Sequence, residues 1–483
     1  MLRASGARQS GDRRGLQGVT DPMRYDLVIQ GGRIASSQGT LRADVGIAGE
    51  SIAAVGLGLE GRETIDATGK LVLPGALDVH THFQLPVGEL VSVDDFASGS
   101  QAAALGGVTT FIDFAVPERG ASIVAAVEAR RAQADPRVCV DYSLHPGITE
   151  WNAARQAEIA ELVRGGMPTF KMFMAYRARG LQASDAELYA ALREAGRQGA
   201  MIGVHAENEE LIDFFQREAA ARSCPGCYAH AVTRPPVTET EAVTRAIHLA
   251  EAAGGRLYIF HLSTGDGADL VEEAILRGVD VHAETCPHYL LLDDECFKQP
   301  DGHRFVTCPP LRKPADQQRL WEGLARASIE VLATDTCSFT SAQKAAGGGD
   351  YRKIPGGLPG IETLVPLVHT FGVRDGRFPL ERMIDLLCET PARLFGLWPR
   401  KGVIAAGSDA DLVIFDPGLE VVITPRNLAT RCDYSPYDGT RVVGAPVTTL
   451  LRGTVIVRDR TFVGRPGQGR FLRRDPPVRA TNA

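Results

Sequence analysis

Between about residues 74 and 398, short apolar runs alternate with amphipathic helical stretches, and no other feature of this 483-residue sequence restricts its fold so strongly. Such alternation is the pattern of parallel βα units. Eight runs can be counted, near Leu77–His82, Val108–Phe114, Val138–Leu144, Phe170–Met174, Met201–His205, Leu257–His261, Val279–Glu284 and Glu330–Asp335. Helices are predicted at Ser122–Gln133, Asp185–Gln198, Glu239–Ala253 and Ala268–Arg277. Eight strands predict an α/β chain folded as a (β/α)8 TIM-like barrel over residues 74–398. In that architecture the C-terminal strand ends build the active site. Here those ends carry histidine, lysine and aspartate.

The flanks differ in texture. Tyr25–Gln30, Ala43–Ile47 and Ser51–Val55 read as short strands between glycine-rich turns, and Asp411–Phe415 and Val447–Val457 repeat the pattern at the far end. Both flanks together predict a small β-sandwich domain built from residues 23–73 and 399–463. Residues 1–22 read as a disordered tail and 464–483 as a C-terminal tail. Gly56-Leu57-Gly58-Leu59-Glu60-Gly61 matches G-x-G-x-x-G, which should open a helix to hold a pyrophosphate. Arg62–Lys70 instead alternates like another strand, so the motif reads as a turn of the β domain.

Composition excludes several classes. With 44% hydrophobic and 23% charged residues the chain is globular, and its net charge of −7 argues against nucleic acid or a membrane surface as partner. No apolar run reaches membrane-spanning length, and the first residues lack a secretory core. Nine scattered cysteines predict free thiols in a reducing cytoplasm. Cys224-Pro225-Gly226-Cys227 alone cannot complete a zinc site and reads as a loop with two thiols. Only seven of the 52 basic residues are lysines, and one, Lys171, stands inside the apolar run Thr169–Met174, where a free ammonium is costly to bury.

Asp78-Val79-His80-Thr81-His82 ends the first predicted strand, and a period of two puts His80 and His82 on one face as a metal-ligand pair. H-x-H alone fits a surface pair on an edge strand equally well. The fourth, fifth, sixth and eighth strands end in Lys171, His205, His261 and Asp335. Singly, a strand histidine is more often a satisfied core residue, and an aspartate caps a helix. Together they point to one polar centre. Four histidines and a carboxylate suit two ions such as Zn2+, and holding these roughly 3.5–4 Å apart calls for a bridging anion. A buried neutral lysine can add CO2 to form a carbamate whose two oxygens bridge; a lysine snorkelling to the strand end is the alternative. His145 and His288 read as structural histidines near the strand ends.

Leu73-Pro74-Gly75-Ala76-Leu77-Asp78-Val79-His80-Thr81-His82, Phe170-Lys171-Met172-Phe173-Met174-Ala175-Tyr176, Val204-His205-Ala206-Glu207-Asn208, Glu284-Thr285-Cys286-Pro287, Pro309-Pro310-Leu311-Arg312 and Gly407–Val413 resemble the hydantoinase/dihydropyrimidinase branch of the amidohydrolase superfamily. The resemblance runs from about residue 24 to 460. It implies that His80, His82 and Asp335 hold one metal, His205 and His261 the other, and N6-carboxylated Lys171 bridges both. Tyr176 would then donate to the oxyanion, and main-chain atoms of Cys308 and Gly356 would contact substrate; many relatives have Ser and Asn at these two positions. Thr336 replaces the histidine that often follows the metal aspartate. Hydrolysis of a dihydropyrimidine or 5-substituted hydantoin to an N-carbamoyl amino acid is the implied activity, in a homo-oligomer, tetramer or dimer. An allantoinase-like ureide hydrolase and a catalytically inactive scaffold are the alternatives. Dihydroorotase-like relatives carry arginine two residues after the second histidine; Gln84 stands there and suits an uncharged ring, with Leu85, Val87 and Leu181 as candidate contacts to its substituent.

Overall fold

The computed structural model describes residues 25–221 and 226–476. The tail expected at 1–22, Cys224 of the C-x-x-C pair and the final residues 477–483 lie outside the described residues.

Eight parallel strands run in chain order: β1 (Ala76–Thr81), β2 (Val108–Ala115), β3 (Asp141–Pro146), β4 (Thr169–Phe173), β5 (Met201–His205), β6 (Arg256–Ile259), β7 (Val281–Thr285) and β8 (Val331–Leu332). β1, β2 and β3 form one sheet, and β4 to β8 another. Two isolated parallel bridges join them. Gly147 pairs with Lys171 at the end of β3, where the Ile148 N–H donates to the Lys171 carbonyl at 2.8 Å, and Thr81 pairs with Thr336, where the His82 N–H donates to the Thr336 carbonyl at 2.8 Å. Each strand therefore has a neighbour on both sides. All eight strands are buried along nearly their whole length, which explains their continuous apolar character.

Helices return the chain between strands. The one at Asp185–Arg197 starts in a capping box, with Ser184 Oγ accepting from the Glu187 N–H while the Glu187 carboxylate reaches back to Ser184. Pro236–Ala253 ends at Gly254 in the left-handed region. The eighth strand is shorter than its apolar pattern predicts. After Leu332 the chain leaves the ladder, the Thr334 N–H donates to Asp78 Oδ1 at 3.0 Å, and Asp335 takes a φ of +50°.

The flanking strands form two sheets. One has the order Ser51–Gly56, Asp44–Ala48, Tyr25–Gln30, Gly61–Asp66. The other interleaves both ends of the chain, because Leu71–Pro74 pairs antiparallel with Leu412–Val422. Val45, Ile47 and Ile52 of the first sheet share an apolar core with Val72, Leu412, Ile414 and Leu450 of the second. The G-x-G-x-x-G stretch is a turn between strands, with Gly58 at φ +69° and its N–H donating to Asp44. Buried Lys401 ties this unit to β3 through Asp141 (2.7 Å), Asp411 (2.6 Å) and Asp409 (3.0 Å).

Residues 464–476, expected to begin a tail, lie instead against β3 and β4. The Leu472 N–H donates to the Tyr142 carbonyl, and the buried Arg474 guanidinium donates to Ser143 Oγ, Thr169 Oγ1 and the Leu144 carbonyl at 2.6–2.8 Å. No helix among the described residues is long and apolar enough to cross a membrane.

Candidate active site

The strand ends bring the six expected ligands to one place. His80 Nε2 lies 3.2 Å from His82 Nε2, and Asp335 Oδ1 is 3.0 Å from the first and 3.2 Å from the second. His205 Nδ1 faces His261 Nε2 at 2.9 Å. The His80 and His261 rings, 5.3 Å apart, connect the two groups. Lys171 is 1% exposed, with its Nζ 3.8 Å from the centre of the Phe260 ring. Burial pushes its amine down to about 7 against the opposing pull of Asp335 and Glu284.

Local backbone strain accompanies this geometry. Of eight non-glycine residues with positive φ among those described, four are here: Gln84 (+49°), Tyr176 (+70°), His261 (+39°) and Asp335 (+50°). Such conformations persist where the surroundings over-determine them, most often at functional sites.

Two carboxylates that the sequence reading left without a role orient the imidazoles. Glu284, fully buried at the end of β7, accepts from His80 Nδ1, from the Tyr258 hydroxyl at 2.9 Å and from the His261 main-chain N–H at 3.1 Å. Glu207 accepts from His205 Nε2 at 2.8 Å and from Arg234. These bonds assign protons to His80 Nδ1 and His205 Nε2, leaving the lone pairs on the nitrogens that face the centre. Burial opposes ionisation of Glu207, but Arg234 and His205 hold its carboxyl down at about 2. Burial likewise opposes charge on His80, yet Asp335 and Glu284 raise it to about 9. Burial also works against the Asp335 carboxylate, and His80 and His82 keep it ionised, well below the usual range. A centre that stabilises positive charge and aims imidazole lone pairs and a carboxylate inward fits divalent ions of borderline softness. Glu284 carried a readable signal, a charged residue near the end of an apolar strand; Glu207 lies beyond its strand and takes its role from His205 and Arg234, which it meets only in the folded site.

The Tyr176 ring lies 4.7 Å from that of His205, tilted by 39°. Burial, reinforced by Cys308 and Glu207, pushes its hydroxyl well above the usual tyrosine value, so it stays protonated and able to donate. A Cβ on Gly356 would stand 3.5 Å from Cys308 Sγ, so the two expected main-chain contacts are adjacent. Thr336 bonds Thr334, which in turn bonds Asp78. His145 is satisfied by Thr169 Oγ1 and the Val79 carbonyl, as a structural histidine should be.

Residues 71–456 match the model of the amidohydrolase family. The chain is 41% identical to a D-hydantoinase of Geobacillus stearothermophilus over 92% of this chain and 96% of that one. It is 41% identical to a D-phenylhydantoinase of Escherichia coli O1:K1 / APEC, over 94% and 99% respectively. Among solved structures it is similar to the dihydropyrimidinase from Brevibacillus agri NCHU1002, with a TM-score of 0.92 and 38% identity over 94% of this chain and 99% of that one.

Proposed function

The chain belongs to the amidohydrolase family, and from that premise we propose that it opens dihydropyrimidine or 5-substituted hydantoin rings to N-carbamoyl amino acids. It is a hydrolase of cyclic amides. The convergence of His80, His82, His205, His261 and Asp335 around a buried lysine carries the reading. The eight doubly neighboured strands are read as a (β/α)8 barrel, and the two interleaved sheets as its β-sandwich companion.

His80, His82 and Asp335 would hold one divalent ion, proposed to be Zn2+, and His205 and His261 a second, with N6-carboxylated Lys171 as a shared ligand; such ions would supply hydroxide at neutral pH and polarise the ring carbonyl. Asp335 is ionised and takes the proton of the attacking water, then passes it to the ring nitrogen as the C–N bond breaks. Tyr176 donates its hydroxyl to the oxygen that gains charge. Main-chain groups of Cys308 and Gly356 orient the ring. Position 84 carries no cation, and Arg130 nearby is committed to Asp113 at 2.6 Å, which suits a ring without a carboxylate.

The test compares kcat/KM of the zinc- and bicarbonate-loaded protein for dihydrouracil, 5-substituted hydantoins of both hands, and allantoin. Turnover of the first two classes is expected. A preference for allantoin of about tenfold or more, a difference of about 1.4 kcal/mol in transition-state binding, overturns the substrate class.

A further inference from the structure

Three lysines are almost wholly buried, and the chemistry above uses only Lys171. Lys401 is neutralised by three aspartates. Lys344, on the short helix Ser341–Ala345, is 0% exposed and is faced by four thiols (Cys227, Cys308, Cys337 and Cys432) and by one carbonyl. Its Nζ donates to the Val306 carbonyl at 2.6 Å. An ammonium or amine in such surroundings is expensive unless its hydrogen bond specifies something.

What it specifies is the path of residues 306–309. The Val306 carbonyl accepts from Lys344 and from the Gly357 N–H at 3.0 Å, so this one oxygen joins the two segments that carry Cys308 and Gly356. The Thr307 carbonyl accepts from His230 Nε2 at 2.7 Å, and the Pro309 carbonyl from the Tyr289 hydroxyl at 2.8 Å. Only Cys308 in this run has a main-chain N–H and C=O with no hydrogen bond among the described residues, and the same holds for Gly356. Gly357, at φ +137°, has the Cys337 carbonyl 2.4 Å from where a Cβ would sit, so the second segment is equally confined.

We propose that Lys344 is a positioning residue for substrate, pinning residues 306–308 to Gly356-Gly357 so that the free main-chain groups of Cys308 and Gly356 stay at the spacing of a ring amide. The claim rests on the function proposed above, since it takes those groups to bind the ring. Lys344 touches neither the metal-ligand set nor Tyr176. Its loss therefore acts on binding before it acts on chemistry.

The experiment uses zinc-loaded protein and dihydrouracil. Lys344→Met should raise KM about tenfold, the loss expected when a buried hydrogen bond goes, with kcat within about twofold of wild type and metal content full. Lys344→Gln keeps an N–H donor and should fall between. Hydrogen exchange is read in parallel, and the Gly357 amide should lose protection in Lys344→Met. An unchanged KM, or a fall in kcat that follows loss of metal, overturns the proposal. Should Lys344→Met not fold, His230→Phe removes the neighbouring clamp on Thr307 and must raise KM in the same way for the proposal to survive. If wild type opens no ring amide, the proposed function falls, and the Gly357 amide alone decides the clamp: lost protection supports it and unchanged protection overturns it.

Discussion

Glu284→Gln isolates what the seventh strand contributes to the metal centre. In the wild-type chain one carboxylate oxygen accepts from His80 Nδ1 and from the His261 N–H, and the other accepts from the Tyr258 hydroxyl. Glutamine keeps one acceptor oxygen for the first two donors, and the Tyr258 hydroxyl can turn to accept from the new amide. Shape is preserved and charge is lost. A hydrogen bond to a charged acceptor contributes about 1.5–3 kcal/mol and a neutral one about 0.5–1.5. Weakening the His80 and His261 bonds together therefore costs about 2 kcal/mol, or about thirtyfold in metal affinity. That agrees with the 10–100-fold, roughly, that follows loss of residues orienting metal ligands. Because His80 belongs to one ligand group and His261 to the other, both sites should weaken together. Titration of metal-free protein with Zn2+ against a competing chelator reads this directly, and a thermal melt checks that the fold is intact. Wild-type affinity at both sites, or a loss confined to one, would refute the reasoning.

Lys171, held at about 7 by burial, should react with CO2 in a window an ordinary lysine does not reach. At fixed dissolved CO2, the rate at which metal-free protein regains activity with Zn2+ should climb about tenfold between pH 6 and 8, as the neutral fraction of the amine rises. An unperturbed amine would instead give about a hundredfold climb over that range and a rate still rising about tenfold per pH unit beyond pH 8, with no plateau. Lys401→Met leaves Asp141 and Asp411 buried with their main counter-charge gone, and should cost about 3–5 kcal/mol in thermal unfolding of the loaded protein. An unchanged melt would show that Arg452, which also pairs with Asp141, suffices. Ending the chain after residue 463 removes Leu472 and Arg474 from β3 and β4. Loss of the leucine alone costs roughly 1.5–3 kcal/mol, so soluble yield and melting temperature should both fall, and wild-type values for the two would contradict a packed role for this segment.

The parts of the site that were legible in the sequence are those whose signal is local. His80, His82, Lys171, His205, His261 and Asp335 each stand in or just after an apolar run, and the apolar neighbours that make them conspicuous are adjacent in the chain. Asp335 was legible as a residue but the end of its strand was not, because the chain leaves the ladder after Leu332 and no residue pattern announces a φ of +50°. Arg474 was hidden for the opposite reason. Arg-Arg-Asp-Pro-Pro reads as a solvated tail, and its burial depends on neutral acceptors on Ser143, Thr169 and Leu144, more than 300 residues away. The three buried lysines put the point most sharply. Lys171, Lys344 and Lys401 share one side chain, and burial drives the first two down to about 7 while three aspartates drive the third upward. Lys171 is exposed by its sequence because a strand must bury its own neighbours. Lys401 needs Asp141, Asp409 and Asp411 brought together from two units, and Lys344 needs a carbonyl 38 residues before it. A charge whose reason for burial lies within its own element can be read from the chain; one whose partner is supplied by the tertiary fold cannot.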